Sequence, residues 1–345
     1  MSTATLSETV TLDRLDEQIV RALQLSPRVP FRRLAQVLDV SEQTVARRYR
    51  ALVRGGVLRV IAMVEPSALG ESDWMLRIRT RPEATLDLGR ALAQRRDIGW
   101  VGVAAGGSEL LCAVRSHTQQ QRERLLLDRL PRSAAVLDLS ASVVLRRFIG
   151  GSASDWAQLQ HVLTTEQTDA LRDSAPPPRQ PPPVDGDRRA RLDEADYAVL
   201  EVLARDGRAP IGTLARAAGL TDGRVARRLA RLIESRVVYL DVDLSAAAIG
   251  YPVQAYLSMT ITPGQVENAG CTLADHPQTP FVAAVSGRAN LVASVTCRSL
   301  DELYRYVTER LGALDGVQSV EVQPILQRIK QAGTLVDGDR LATAP

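Results

Sequence analysis

The sequence predicts an α+β protein in which a helical unit and a mixed unit of strands and helices follow one another, the pair being present twice. Three observations lead to this prediction. Apolar residues first recur with the 3.6-residue period of a helix, and from Trp74 they alternate with the two-residue period of a strand. The elements predicted after Trp74 come in the order βαββαβ, which is typical of a ferredoxin-like sandwich. The motifs of residues 12–57 return at residues 192–237 with a constant offset of 180.

The first helical unit, residues 11–64, contains a helix-turn-helix. Apolar residues at helical spacing predict a first helix over residues 13–25 and a short second helix around residues 34–38. Ser41 is a good N-cap for a third helix, which Gly55 and Gly56 end. Residues 58–64 are rich in apolar and β-branched side chains and predict a strand that leaves this winged or three-helix unit.

The third helix has an apolar face and a basic face. Val45, Tyr49 and Leu52 share the apolar face, which can dock on the preceding helix. The opposite arc carries one polar and three cationic side chains, Gln43, Arg47, Arg50 and Arg54. Arginine neutralises phosphate and can grip guanine in the major groove. An isolated basic helix would be an ordinary solvated surface, but combined with the docking helix, the turn and the cap this face predicts double-stranded DNA as a partner.

The first sandwich is predicted over residues 70–149. Its expected elements are a strand at 74–80, a helix at 84–95, strands at 98–105 and 110–115, a helix at 118–129 and a strand at 136–147. Residues 150–190 form a linker that begins with helical spacing and continues into a proline-rich tract at 176–183, which predicts an extended spacer. A docking site for a partner is a less common use of such a tract.

The second copy repeats this plan in a helical unit at 191–244 and a sandwich at 250–330. Its predicted strands and helices lie at 253–261, 266–276, 281–286, 291–297, 300–311 and 317–326. Gly70 and Gly250 occupy equivalent positions between the helical unit and the sandwich. The basic character differs between the copies, because residues 11–60 contain ten Arg and five acidic residues whereas residues 191–240 contain nine and seven.

The totals are those of an ordinary globular protein. The chain has 345 residues, 45% of them hydrophobic, and a formal net charge of +3. Cys112, Cys271 and Cys297 are isolated thiols, and no apolar run reaches the length of a membrane span. We therefore expect a cytoplasmic protein without membrane contact. Metal-ligand spacing and a phosphate-binding glycine loop are both missing, so the sequence predicts no cofactor and no metal.

These motifs resemble the Lrp/AsnC (feast/famine) family of transcriptional regulators, and the resemblance covers nearly all of the chain twice. The family motif L-D-x-x-D is matched by Leu12, Asp13 and Asp16, and its R…L-A helix by Arg28, Leu34 and Ala35. The DNA-reading motif S-x-x-T-V-x-x-R-x-x-x-L is matched by Ser41, Thr44, Val45, Arg48 and Leu52. The second copy departs from the pattern, because Gly223, Ala230 and Glu234 replace Gln43, Arg50 and Arg54.

The resemblance implies a function and two sets of site residues. It implies a sequence-specific DNA-binding regulator that responds to an amino acid or related effector through its sandwiches, called RAM domains in this family. It also implies an internal pseudo-dimer, with further homo-oligomers. The expected DNA-binding residues are Ser41, Gln43, Thr44, Arg47, Arg48, Arg50, Arg54, Thr221, Arg224, Arg227, Arg228 and Arg231. The expected effector-binding residues are Gly106, Gly107, Glu109, Gly287 and Asn290, although neither loop has the family's Asp and both loops would equally serve as hairpin turns.

Two other functions remain open at this point. Siroheme decarboxylases share the family's fold and also occur as two related halves, but they rely on His and Arg around the tetrapyrrole. The histidines here, His117, His161 and His276, do not occupy equivalent positions in the two copies. The sequence predicts no catalytic residues, so we expect a protein that is not an enzyme. An architectural protein that packages DNA would explain the basic helices equally well.

Overall fold

The structure of the protein is a computed structural model, which describes residues 12–115, 118–150, 156–172 and 190–342. Within these ranges the fold is α+β, and each half of the chain has a three-helix unit followed by a βαββαβ sandwich. His117 and the proline-rich tract lie outside the described residues. No helix in the described ranges has the length and apolar character needed to cross a membrane.

The first helical unit consists of α1 (Arg14–Leu25), α2 (Phe31–Leu38) and α3 (Glu42–Arg54), and β1 (Leu58–Val64) follows it. Asp13 caps α1 in a capping box with Asp16, and the Ser41 hydroxyl accepts the Thr44 N–H at the start of α3. Ile19, Leu23, Leu34 and Val45 are fully buried where the three helices meet. The helix-turn-helix therefore has the cap and the apolar contact that its sequence predicts.

The first sandwich begins after Gly70, whose φ of 77° lies in the left-handed region. Its elements are β2 (Trp74–Thr80), α4 (Thr85–Ala93), β3 (Ile98–Ala104), β4 (Glu109–Val114), α5 (Gln119–Glu123) and β5 (Val136–Ile149). One prediction was wrong in detail, because the second helix is α-helical only over α5 and continues as a π-helical turn over Arg124–Arg129. β5 runs to Ile149, and its last residues pair with a strand of the other half.

The segment after the first sandwich packs on the first helical unit. It forms a 3₁₀ turn at Ala157–Val162 and then α6 (Thr165–Arg172), with Thr164 and Gln167 capping α6 reciprocally, as predicted. Trp156, Leu159, Val162 and Leu171 are buried in the same core as α1. This part of the predicted linker is therefore not only a spacer, because it completes the core of the first helical unit.

The second copy repeats the first. Its elements are α7 (Glu194–Leu203), α8 (Ile211–Ala218), α9 (Asp222–Glu234), β6 (Val238–Leu244), β7 (Val253–Ile261), α10 (Val266–Ala274), β8 (Phe281–Val285), β9 (Leu291–Cys297), α11 (Leu300–Arg305) and β10 (Val317–Pro324). Asp193 and Asp196 form the same capping box as Asp13 and Asp16. Thr221, however, makes no side-chain cap on α9, unlike Ser41 on α3.

A C-terminal hairpin was not predicted. It consists of β11 (Gln327–Gln331), β12 (Thr334–Asp337) and β13 (Arg340–Leu341). β11 pairs antiparallel with β3 of the first sandwich, so the end of the second copy completes the sheet of the first. The end of β5 pairs in turn with β8, which belongs to the second copy. Each sandwich thus lends a strand to the other.

Further contacts join the halves. β1 and β6 pair antiparallel along their whole length, and the central pair is Ile61 opposite Asp241. These two residues are equivalents in the repeat, so a pseudo-two-fold axis passes between them. The equivalent residues Arg28 and Arg208 form reciprocal clamps: Arg28 donates to the carbonyls of Gly207 and Ala209, and Arg208 donates to those of Pro27 and Val29, at 2.6–2.9 Å.

Candidate functional site

The outward face of α3 carries the residues expected to touch DNA. Gln43, Arg47, Arg50 and Arg54 are all exposed. Among the described residues, the Arg54 guanidinium bonds only to the backbone carbonyl of Arg50, at 3.3 Å, so it keeps most of its donors for a partner. Ser41 is also exposed, but its hydroxyl accepts the Thr44 N–H at 3.0 Å and therefore serves the helix cap.

Arg48 lies on a different side of α3 from Arg47. Its guanidinium contacts the Asp13 carboxylate at 2.7 Å and that of Asp16 at 3.2 Å, which ties α3 to the start of α1. The backbone N–H of Asp16 and the Arg48 charge lower the pKa of Asp13, whereas burial raises the pKa of Asp16. Arg48 therefore makes a contact within the helical unit, and its expected contact with DNA stays a prediction.

The equivalent face of α9 is weaker. Arg228 bonds to Asp193 at 2.7 Å and to Asp196 at 2.8 Å, repeating the contact of Arg48, and Arg231 lies 3.7 Å from the Asp196 carboxylate. Arg224 and Arg227 remain exposed, together with Thr221. Counting contacts with the described residues, the face of α9 thus presents two guanidinium groups without an ion pair where that of α3 presents three.

The first predicted effector loop does not offer a free anion. Gly106 and Gly107 turn the chain at φ of 63° and 98°. Glu109 is buried, and its carboxylate accepts bonds of 2.5 Å from Arg77 and from Gln323 of the other half. The hydrogen bonds that Arg77 donates to Glu321 and Glu109 raise the pKa of Arg77, so the guanidinium stays charged. Glu109 is therefore paired across the two halves, and its expected contact with an effector's ammonium stays a prediction.

The second predicted loop is closed in the same way. The Asn290 side chain accepts the backbone N–H of Ile261 at 2.8 Å and donates to the Ile261 carbonyl at 2.7 Å. Gly287 has a φ of 110° and allows the tight turn between β8 and β9. The amide of Asn290 thus has backbone partners on both sides, as in a hairpin turn, and its expected role in effector binding stays a prediction.

A cavity of about 180 Å³ lies instead between the two sandwiches. Equivalent residues from the two halves face each other across it, namely Met75 and Tyr256, Trp100 and Phe281, and Ala113 and Ser294. The cavity therefore straddles the pseudo-two-fold axis. Side chains alternate between the two faces of β2, β3 and β4, so the sequence predicts which of them lie on the sheet face that the helices do not cover. Only the pairing of the halves brings these two uncovered faces together.

Charged groups are concentrated in the walls of this cavity. Arg115 donates to the Tyr239 hydroxyl at 2.9 Å and lies 3.8 Å from the Asp73 carboxylate. Burial, together with the neighbouring Asp241, raises the pKa of Asp243 to about 7. Burial also lowers the pKa of Arg328 to about 10. These residues were not among the predicted site residues, because nothing in their local sequence marks them.

The histidines described by the structure lie elsewhere. His161 is exposed, and His276 bonds through Nδ1 to the Tyr306 hydroxyl at 3.1 Å, with its pKa lowered chiefly by burial. No histidine occurs among the residues that line the cavity. Within the described ranges, no three His, Cys, Asp or Glu side chains come together as a metal site would require.

The chain is similar to several known proteins. It matches an AsnC-type helix-turn-helix domain at residues 12–53 and 192–233 and an Lrp/AsnC ligand binding domain at residues 254–335. It is 31% identical over 147 residues to an uncharacterized HTH-type transcriptional regulator of Pyrococcus abyssi, covering 42% of this chain and 92% of that protein. It is 29% identical over 156 residues to the HTH-type transcriptional regulator AldR of Mycolicibacterium smegmatis, covering 43% and 90%.

Among solved structures, the siroheme decarboxylase NirDL in complex with an iron-uroporphyrin III analogue is similar along most of its length. The TM-score is 0.59 at 13% sequence identity, and the match covers 92% of this chain and 93% of NirDL. At this level of identity the similarity concerns the fold alone. It shows that the arrangement of two fused halves also occurs in another protein.

Proposed function

The chain belongs to the Lrp/AsnC family of transcriptional regulators, and from this premise we propose that it recognises one DNA site with two unequal helix-turn-helix units held as an internal pseudo-dimer. The contacts between the units support this arrangement, since the clamps of Arg28 and Arg208 and the pairing of β1 with β6 fix one unit against the other. The observation that carries the proposal is the basic face of α3, where Arg47, Arg50 and Arg54 project away from the core.

The operator is expected to be asymmetric. Ordinary dimers present two identical helices and read near-palindromic half-sites about one helical turn apart, ~34 Å. Here α9 has lost the equivalents of Gln43, Arg50 and Arg54, so its half-site contributes less binding energy. A footprint of the intact chain should show one strongly protected half-site and one weakly protected half-site. Equal protection of both half-sites would contradict the expected asymmetry, and uniform coverage of random DNA would favour the architectural alternative.

The double substitution Arg47→Ala with Arg50→Ala tests the role of α3. Each bidentate contact with guanine contributes about 1–3 kcal/mol, so the pair should weaken specific binding by at least tenfold in a gel-shift titration. Arg227→Ala should cost less, and the exposed Arg90→Ala on α4 serves as a control for the loss of one surface charge. The assignment fails if the double variant binds the operator with unchanged affinity.

The family's second domain makes the regulator responsive to a ligand. We assign to this chain a small-molecule effector of amino-acid type, bound within the sandwich region. We expect the protein to act in the cytoplasm. The outer surfaces of the pseudo-dimer also leave room for larger homo-oligomers. Calorimetry with a panel of amino acids on the DNA-free protein measures this property separately from DNA binding.

A fused siroheme decarboxylase is the second candidate, favoured by the fold shared with NirDL. Against it stands the composition of the cavity wall, because the lining residues include no histidine. A Soret band that shifts when siroheme is added to the purified protein would support the enzyme. An unshifted spectrum at saturating siroheme would reject it.

A further inference from the structure

A cleft lies between the second helical unit and the first sandwich, and its volume is about 930 Å³. One wall is the side of α7 that carries Ala198 and Glu201, and the opposite wall consists of residues 93–99 and the C-terminal hairpin. Residues 61–64 of β1 lie between the two walls. This space, the α7 cleft, falls within the ~300–1,000 Å³ that is usual for small-ligand sites.

The equivalent space in the other half is occupied by the chain itself. There the linker residues that precede α6 pack on α1. Gln18 of α1, the equivalent of Ala198, donates to the Val162 carbonyl at 3.2 Å. Towards the second sandwich, Gln158 accepts a hydrogen bond from the Tyr251 hydroxyl at 3.1 Å. The described part of the chain places no such segment in the α7 cleft, so the repeat does not explain why this cleft is open.

The only lysine of the sequence is buried in the wall of the α7 cleft. Lys330 is 6% exposed, and its Nζ donates to the Arg95 carbonyl at 2.7 Å. Within the described ranges it forms no ion pair, because Arg95 occupies both oxygens of the neighbouring Asp97 carboxylate. Burial lowers the pKa of Lys330 to about 8, although the charge of Asp97 raises it. The hydrogen bond uses an N–H, so the lone pair of the neutral amine stays available as a nucleophile.

Two exposed arginines of the cleft share one carboxylate oxygen. Arg96, from the first sandwich, donates to Oε1 of Glu201 at 2.8 Å, and Arg205, which follows α7, donates to the same atom at 3.1 Å. One carboxylate cannot neutralise two guanidinium groups, and five basic side chains line the cleft against three acidic ones. Guanidinium groups bind phosphate oxygens through their forked donors. The charges of the cleft therefore favour a phosphate group.

We propose that the α7 cleft binds a phosphorylated aldehyde, which forms an imine with Lys330 while its phosphate lies on Arg96 and Arg205. The neutral Nζ adds to the carbonyl carbon, and the resulting carbinolamine loses water, so that a C=N bond replaces the C=O bond. Water is the leaving group, and the step consumes neither an oxidant nor a reductant. The site is separate from the DNA-reading face of α3 and from the effector assigned to the sandwiches.

Three related molecules test the two chemical requirements. Pyridoxal 5′-phosphate carries both the aldehyde and the phosphate, pyridoxal lacks the phosphate, and pyridoxamine 5′-phosphate lacks the aldehyde. The full-length protein is incubated with each molecule, any imine is fixed with borohydride, and peptide mass mapping locates the label. Because Lys330 is the only lysine, the N-terminal amine is an internal reference that corrects for the intrinsic reactivity of each aldehyde.

We expect the ratio of label on Lys330 to label on the N-terminal amine to be at least tenfold higher with pyridoxal 5′-phosphate than with pyridoxal. Pyridoxamine 5′-phosphate should leave no label. The double substitution Arg96→Gln with Arg205→Gln should lower the ratio for pyridoxal 5′-phosphate at least fivefold and leave that for pyridoxal unchanged. Arg90→Gln, exposed on α4 outside the cleft lining, is the matched control and should behave like the unchanged chain.

Each of three results would overturn the proposal. They are label on the N-terminal amine without label on Lys330, equal ratios for pyridoxal 5′-phosphate and pyridoxal, and a ratio that does not fall when the protein is unfolded in urea. Thermal melting verifies that the arginine variants are folded. Gel shifts on the same preparations report DNA binding, so a failure of the proposed regulator is distinguished from a failure of the lysine site.

Discussion

Asp243 shows how a single residue links the cavity to the stability of the fold. Its side chain has no solvent exposure and accepts a bond from Gln331 at 2.6 Å. The charged groups that face it are Asp241 on its own strand, Arg59 on the paired strand β1 and Arg328 on β11. Burial raises the pKa of Asp243 by more than the cations lower it, so the pKa rises to about 7.

This shift predicts a pH-dependent stability. The carboxyl of an unfolded chain titrates near ~3.9, so between about pH 4 and pH 7 the folded state keeps a proton that the unfolded state has released. The contribution of Asp243 is fully present below that window and is lost as the pH rises through it, by at most ~1.4 kcal/mol per pH unit. Asp243→Asn should flatten this part of the profile in thermal melts, while the exposed Asp337→Asn should leave it unchanged. Superimposable profiles of Asp243→Asn and the unchanged chain would contradict the prediction.

Adjacent arginines show what a sequence can and cannot reveal about a site. The helical period correctly placed Arg47, Arg50 and Arg54 on an exposed arc. It did not separate Arg47 from Arg48, because the partners of Arg48 lie about thirty residues earlier in α1. Glu109 illustrates the same limit, since its neutralising partner Gln323 comes from the other copy. Local patterns predicted the position of a side chain on its element, but long-range contacts decide whether its charge is available.

At the scale of elements, the C-terminal hairpin is the part that local signals missed. β11 follows Pro324 and has no period that distinguishes it from a tail, and it becomes a strand because β3 offers an unpaired edge. Ile329 packs into the core of the first sandwich beside Gly89, and Lys330 donates to the Arg95 carbonyl at 2.7 Å. The other strands and most helices were predicted within a few residues, because their caps and alternation are local.

Removal of the hairpin should affect the first sandwich, although the hairpin belongs to the second copy. A chain that ends after Leu326 exposes the edge of β3 and should melt at a lower temperature and self-associate in light scattering. Ile329→Ala in the full chain tests the packing alone and should cost about 2–5 kcal/mol in denaturant unfolding. A chain that ends at Ala342 is the control for shortening. An unchanged melting temperature after removal of the hairpin would show that β3 does not depend on it.

At the scale of the whole molecule, the two halves are interdependent rather than merely linked. The pairings of β1 with β6, β5 with β8 and β3 with β11 all run between copies. Arg208 adds to its clamp by stacking on Phe31 and Tyr49, at 4.5 and 5.4 Å from the ring centroids. The repeat in the sequence predicted two units, but the exchange of strands between them could not be read from either copy alone.

Separately expressed halves should therefore recombine. We expect residues 1–172, which retain α6, and residues 188–345 to form a 1:1 complex on mixing, because each half presents the strand edges that the other covers. Solution mass by light scattering, measured for each half alone and for the mixture, checks this expectation. A matched mixture with Arg28→Ala and Arg208→Ala should associate more weakly. Halves that stay separate at micromolar concentration would mean that the covalent connection, and not the interface, keeps them together.

The central pair of β1 and β6 has a further consequence. In a dimer of identical subunits, any residue on the symmetry axis meets its own copy, so a buried Asp there would face a second Asp. An asymmetric ligand on the axis could bind in two equivalent orientations that exclude each other. In this chain the axis passes between Ile61 and Asp241. Fusing the two copies has removed the requirement that both sides mutate together. The residues on each side of the axis can change independently, so the cavity between the sandwiches has two different sides. No homodimer could provide such an asymmetric cavity on its axis.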